Sequence, residues 1–226
     1  MKVFRGCLWT ILLTSVGARA HDAIHANFSE DCADKLTRFQ VTLERDFAER
    51  DRIPQSPYGA DLPFAEWEPT WGAWGPPATR YPRVRVPEEF SRAPDLRRDW
   101  LEARVVSAAR RFLGVPFQKR HVPAAGGLDC SNFTAWVYNY ALGLNVDSNI
   151  FKQSERAGRL LGANESWRPG DLIFLLTKDH SRIVHVAIYL GGDELIDLAR
   201  ADREVRIHKI EGRYVHDFAW ARRVIE

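Results

Sequence analysis

"AAGGLDCSNFTAWVYNYALG", Ala124 to Gly143, is the stretch on which the reading turns. Two glycines and Asp129 stand before Cys130, and an aromatic, helix-like run carries on to Gly143. Gly126-Gly127 followed by Asp129 reads as a turn and a cap, which puts Cys130 in the first turn of a helix. Cysteine there can be half of a disulfide, a metal ligand, an apolar filler or a nucleophile. A helix N-terminus favours the nucleophile, because its unpaired N–H groups and dipole stabilise the thiolate, the reactive form of the side chain. Asp129 works against it, since an adjacent carboxylate disfavours a second negative charge. A nucleophile at this position therefore calls for a nearby cation. Histidine serves both as charge partner and as proton carrier.

The best-placed histidine opens "HVAIYLGGDELID", His185 to Asp197, inside an otherwise apolar strand pattern. If Gly191-Gly192-Asp193 makes a hairpin turn, Asp197 returns close to His185 on the paired strand. An acid there can hold an imidazole ring in orientation, as the third member of a triad does.

Around this centre the patterning changes along the chain. "LRRDWLEARVVSAARRFLG", Leu96 to Gly114, places Leu101, Val105, Ala108, Ala109 and Phe112 on one helix face, and Gly114 stops it. After "WRPGDLIFLL" the alternation shortens to that of strands, in "IVHVAIYL", "ELIDLA", "EVRIHKI" and "FAWARRVI". Helices followed by consecutive, antiparallel-looking strands predict an α+β domain. Nearer the N-terminus, Leu36, Phe39, Leu43 and Phe47 form one apolar stripe of a helix over Asp34 to Arg50. Between the two helical regions, Ile53 to Pro94 holds nine of the chain's twelve prolines, together with Trp67, Trp71 and Trp74. Proline at that density excludes long helices and central strands. The tryptophans predict burial against something, either as an arm wrapped over the main domain or as an aromatic wall of a substrate groove.

The first twenty residues, "MKVFRGCLWTILLTSVGARA", combine Lys2 and Arg5, an apolar stretch from Cys7 to Val16 and a small-residue cleavage pattern at Ala18-Arg19-Ala20. This predicts a signal peptide over residues 1–20. The apolar stretch falls short of the roughly 20 residues a spanning helix needs. The expected product is an exported monomer, periplasmic or secreted, with no membrane anchor after cleavage. A formal net charge of +2, with basic residues scattered, gives no case for nucleic acid. Cys32 and Cys130 are the cysteines that remain after cleavage, so a disulfide between them is the competing reading. Neither a C-x-x-C nor an H-E-x-x-H pattern is present, and no metal and no cofactor are expected.

"GLDCSNFTAWVYNYALG", "WRPGDLIFL", "HVAIYLGGDELID" and "VRIHKI", in this order, resemble the motifs of the NlpC family of bacterial cell-wall cysteine peptidases. The resemblance covers Leu96 to Glu226. It implies a papain-like α+β core: helices, one with the nucleophile at its N-terminus, packed on an antiparallel sheet of about five strands. An N-terminal helix and a proline-rich arm, residues 21–95, would precede it. The resemblance implies Cys130 as nucleophile, His185 as general base and acid, and Asp197 as the polar third residue. It also implies that Asp129 and Ser131 help hold the amino group of a short peptide. Family members cleave stem peptides of peptidoglycan, often between D-glutamate and diaminopimelate, so stem peptides are the expected partners.

Three positions depart from the family pattern. Asn132 stands where glycine is usual, and Phe117 where tyrosine is common. Both bear on substrate preference. Asp197 stands where histidine is frequent, and an acid is chemically adequate there. His121, in the loop before Cys130, is a further substrate-contact candidate. Three alternatives stay open: a catalytically inactive wall-binding protein on the same fold, a structural Cys32–Cys130 pair, and a related amidase or acyltransferase.

Overall fold

The apolar stripe of the N-terminal segment does form a helix, α1 (Glu30–Asp51), and Phe39, Leu43 and Phe47 are buried along it. The computed structural model describes residues 30–52, 81–117 and 129–226, with side chains from residue 37 onward. The expected signal peptide, the Cys32 side chain, the three arm tryptophans, Gly126, Gly127 and His121 lie outside the described residues. Among the described residues, no helix is long and apolar enough to cross a membrane.

A short α2 (Glu88–Ser91) leads into α3 (Pro94–Arg110), with Pro94 in its first turn, where no N–H is missed. The expected face of α3 is buried, but so are Trp100, Ala103, Arg104 and Val106. This helix is enclosed on most sides because α1 covers the surface that a two-layer domain would leave wet. Arg104 pairs with Asp46 of α1 at 2.6 Å, and Phe47 stacks on Tyr140 with ring centroids 5.3 Å apart. Arg50 donates to the Pro82 carbonyl at 2.8 Å, and Tyr140 donates to Asp51 at 2.6 Å. The end of the proline-rich tract is thereby tied to the core, with Tyr81 buried against Trp136.

Helix α4 (Cys130–Leu142) is the central element, with Ser131 and every residue from Phe133 to Leu142 buried. Its polar side chains find partners inside: Thr134 donates to Gln153 at 2.9 Å, and Tyr138 donates to the Gly170 carbonyl. The helix ends at Gly143, whose φ of +66° is left-handed and whose N–H bonds the Asn139 carbonyl at 2.8 Å. A Cβ there would stand 2.3 Å from the Pro82 carbonyl oxygen, so the close approach of the two segments requires glycine. Truncating a fully buried aromatic such as Trp136 to alanine would cost about 3–5 kcal/mol.

α5 (Ile150–Arg156) then leads to the sheet. Its strands are β1 (Arg159–Leu160), β2 (Leu172–Leu176), β3 (Ile183–Gly191), β4 (Glu194–Leu198), β5 (Val205–Lys209) and β6 (Phe218–Arg223). α6 (Arg213–His216) sits between the last two. Every strand expected from the sequence is present, and the two-residue β1 adds a sixth at the edge. The order is β1-β6-β2-β3-β4-β5, with each neighbouring pair antiparallel. Alternation sends Phe174, Val186, Ile188, Ile196 and Leu198 into the large core shared with the helices. Ile173, Leu175, Ala187, Leu195 and Ala221 form a smaller cluster with Tyr214. The architecture is α+β and papain-like, with a helix N-terminus brought to the sheet.

Candidate active site

Asp129 caps α4: its backbone is extended, and its Oδ1 accepts from the Asn132 N–H at 2.9 Å. Its main-chain carbonyl accepts from Phe133, so two donors of the first turn are satisfied by one residue. Cys130 is the first residue of the helix, half-buried, and it is a free thiol. The reading that made it half of a disulfide does not describe this residue.

His185 comes from the middle of the sheet, on β3, opposite Leu175 of β2. The hairpin that returns Asp197 is built as its sequence suggests. Gly191, Gly192 and Asp193 all take positive φ, 91°, 58° and 61°, which two glycines permit and an aspartate tolerates. Asp197 follows Ile196, whose cross-strand partner is Ile188, so it lies diagonally across from His185. His185 Nε2 meets Asp197 Oδ2 at 2.8 Å. That engagement leaves Nδ1 as the ring nitrogen available to Cys130, whose side chain is close enough to act on the charge of the ring.

The electrostatics follow from this geometry. Burial alone would lower the pKa of His185, but the charge of Asp197, and then the charge and hydrogen bond of Cys130, raise it to about 10. The ring is therefore an imidazolium at neutral pH. Asp197 shows the reverse balance. Burial pushes it up, yet the charge and hydrogen bond of His185, the hydrogen bond of Tyr214 and the charge of His208 hold it below the usual carboxylate range. Tyr214 donates to Asp197 Oδ2 at 2.7 Å. Burial and the neighbouring carboxylate push its phenol up, so it keeps its proton and remains a donor.

The other residues singled out in the sequence are placed as follows. Ser131 is buried, and its hydroxyl donates to the Ser148 carbonyl at 2.7 Å and lies 3.3 Å from Asp129 Oδ1. It faces inward and supports the cap. Asn132 is partly buried next to the nucleophile, with no hydrogen-bond partner for its Oδ1. Phe117 packs on the core edge, and its N–H donates to the Arg203 carbonyl at 2.7 Å. Tyr214 and His208 escaped the sequence reading as site residues. His208 could have been found, since it sits in the quoted "VRIHKI" two positions from Arg206, the register partner of Asp197. Tyr214 could not, because it reaches Asp197 from a one-turn helix outside any periodic pattern.

A buried acid, a histidine and a free thiol at a helix head on a papain-like core define the thiol-hydrolase class of arrangement. Residues 114–224 match the NlpC/P60 family, and this part of the chain belongs to it. The chain is 34% identical over 104 residues to the "Probable endopeptidase p60" of Listeria grayi, covering 46% of this chain and 19% of that protein. It is 29% identical over 123 residues to the "Gamma-D-glutamyl-L-lysine dipeptidyl-peptidase" of Bacillus cereus (strain ATCC 10987 / NRS 248), covering 54% of this chain and 36% of that one. The chain thus spans about a third or less of the length of these relatives. Among solved structures, the peptidoglycan hydrolase RipB of Mycobacterium tuberculosis superposes with a TM-score of 0.50 at 19% identity, covering 94% of this chain and 92% of that one. That likeness concerns the fold.

Proposed function

We propose that this protein is an exported cysteine peptidase that hydrolyses peptidoglycan stem peptides at the D-γ-glutamyl–diaminopimelate bond. One observation carries the reading: a single imidazole, His185, hydrogen-bonds Asp197 at 2.8 Å, while Cys130, at the head of α4, acts on the charge of the same ring. The names of the two relatives and the resemblance of the motifs support the substrate class. The signal-like residues 1–20 support export.

In this mechanism the Cys130 sulfur, its proton held by His185, attacks the carbonyl carbon of the scissile amide. The Cys130 N–H, at the head of α4, donates to the oxyanion that forms. His185 gives its proton to the leaving nitrogen as the C–N bond breaks, which leaves a thioester on Cys130. The neutral ring then takes a proton from water, the resulting hydroxide attacks the thioester, and the acid and the thiol are released. Asp197 keeps the ring oriented and stabilises it while charged. Asp129, steadied by Ser131 and the Asn132 N–H, receives the amino group of the peptide, and Asn132 and Phe117 shape the surroundings of the cleaved bond.

Defined muropeptides incubated with the protein and weighed by mass spectrometry test this directly. Cleavage between D-glutamate and diaminopimelate is expected, and Cys130→Ala should abolish it. Equal product from that variant would sink the mechanism, and release of an intact peptide from the sugar would replace the peptidase by an amidase.

A further inference from the structure

On the side of Asp197 away from His185 lies a second cluster. Both hydrogen bonds that reach this carboxylate, from His185 and Tyr214, go to Oδ2. Oδ1 accepts none, although Asp197 is 0% exposed. His208 Nε2 stands 3.5 Å from that oxygen and 3.3 Å from Asp202 Oδ2, and it makes no hydrogen bond either. Leaving a buried polar atom without a partner costs about 1–3 kcal/mol. Here two such atoms face each other, which marks a place that a ligand between them would complete.

The spacing says which ligand. Zinc holds nitrogen and oxygen donors at about 2.0–2.2 Å in a tetrahedron, so adjacent donor atoms stand roughly 3.3–3.5 Å apart. The two measured separations, 3.5 and 3.3 Å, are tetrahedral edges of that size. One ligand atom from each of the three residues lies within 4.8 Å of the others. The donors are one imidazole and two carboxylate oxygens, a set suited to Zn2+. Asp202 and His208 are about one-quarter exposed, which leaves an entry path and a fourth position for water. The ligands come from β4, the β4–β5 turn and β5, so no contiguous motif announces them.

We propose that Asp197, Asp202 and His208 form a Zn2+ site that shares Asp197 with His185, so that the ion suppresses hydrolysis. With Oδ1 on the metal, the charge of Asp197 is drawn away from the imidazolium that Oδ2 holds. The suppression rests on the proposed Cys130–His185–Asp197 chemistry, whereas binding of the ion does not.

The test uses the untagged chain carrying Cys130→Ala, so that the thiol cannot supply a ligand, titrated with Zn2+ against a chromophoric chelator. One equivalent is expected to bind. Asp202→Asn and, separately, His208→Gln in the same background should each weaken binding by roughly tenfold or more. In the otherwise unaltered protein, Zn2+ should lower muropeptide hydrolysis. Asp202→Asn should keep its basal rate and need roughly tenfold more Zn2+ for the same loss. Absence of a bound equivalent in the Cys130→Ala chain, or binding that survives both substitutions, overturns the site. Tight binding with undiminished hydrolysis overturns the sharing of Asp197. A chain that hydrolyses nothing with or without Zn2+ refutes the proposed function instead, and the titration still decides the site.

Discussion

Asp171, at the head of β2, and Asp197, on β4, are both buried carboxylates of one sheet, 2% and 0% exposed. Their partners differ in kind. Asp171 takes Arg223 in a forked pair, at 3.0 and 2.7 Å, and the Arg168 N–H at 2.7 Å. Asp197 takes His185 and Tyr214, and has His208 beside it. A guanidinium keeps its proton in proteins, so the first arrangement can only clamp β6 to β2. An imidazole exchanges its proton, so the second can change charge during a reaction. Burial leaves Asp171 raised in spite of Arg223, while Asp197 is held low against the same penalty. Two buried acids of one sheet thus differ in what their neighbours can give up.

The strongest way to break this division is to replace each acid by its amide. Asp197→Asn should lower kcat by roughly 100- to 10,000-fold, because the ring loses its orienting charge, as in a triad with its acid neutralised. Its fold should hold, since His185 can shed its proton in response. Asp171→Asn should cost about 1.5–3 kcal/mol in denaturant unfolding, because Arg223 loses its most buried carboxylate and keeps only Glu165. The kcat of its folded fraction should barely move. A stably folded but inactive Asp171→Asn protein would erase the distinction.

A smaller effect is expected at Tyr214. Removing its hydroxyl in Tyr214→Phe deletes one hydrogen bond to a buried charge, an interaction worth about 1.5–3 kcal/mol. If part of that positions the triad, kcat should fall by roughly tenfold with KM unchanged. An effect confined to KM would assign Tyr214 to substrate contact instead.

The smallest expected signal is the pH dependence of stability. His185 is raised in the folded protein, so its contribution is complete below the ordinary histidine pKa and fades as pH climbs toward about 10. Asp197 is lowered, so its share is present above the ordinary aspartate pKa and is lost as acid protonates it. The Tm difference between the wild-type protein and His185→Gln should therefore be widest in mildly acidic solution, between the ordinary aspartate and histidine pKa values, and narrow on both sides. A difference that stays flat from neutral to alkaline pH would show that the ring is not held as a cation.

Much of this was legible in the chain. The glycine pair at 191–192 implied a hairpin, and that hairpin implied the meeting of His185 and Asp197. The strand alternation from Leu172 onward and the apolar stripe of Phe39, Leu43 and Phe47 matched the structure because periodicity reports directly on which side is buried. The enclosure of α3 was not legible. Its exposed-looking residues are covered by α1 from some fifty positions earlier, and pattern within one helix says nothing about a distant partner.

Sequence alone determined the secondary elements, the helix head that carries Cys130 and the hairpin that pairs His185 with Asp197, because each is set by local turn chemistry and period. Only the tertiary structure decided what surrounds Asp197. Tyr214, His208 and Asp202 reach it from α6, β5 and the β4–β5 turn, and the register that brings them there is set by packing across the sheet. A side chain's neighbours in space depend on every strand between them, and no window of sequence contains that information.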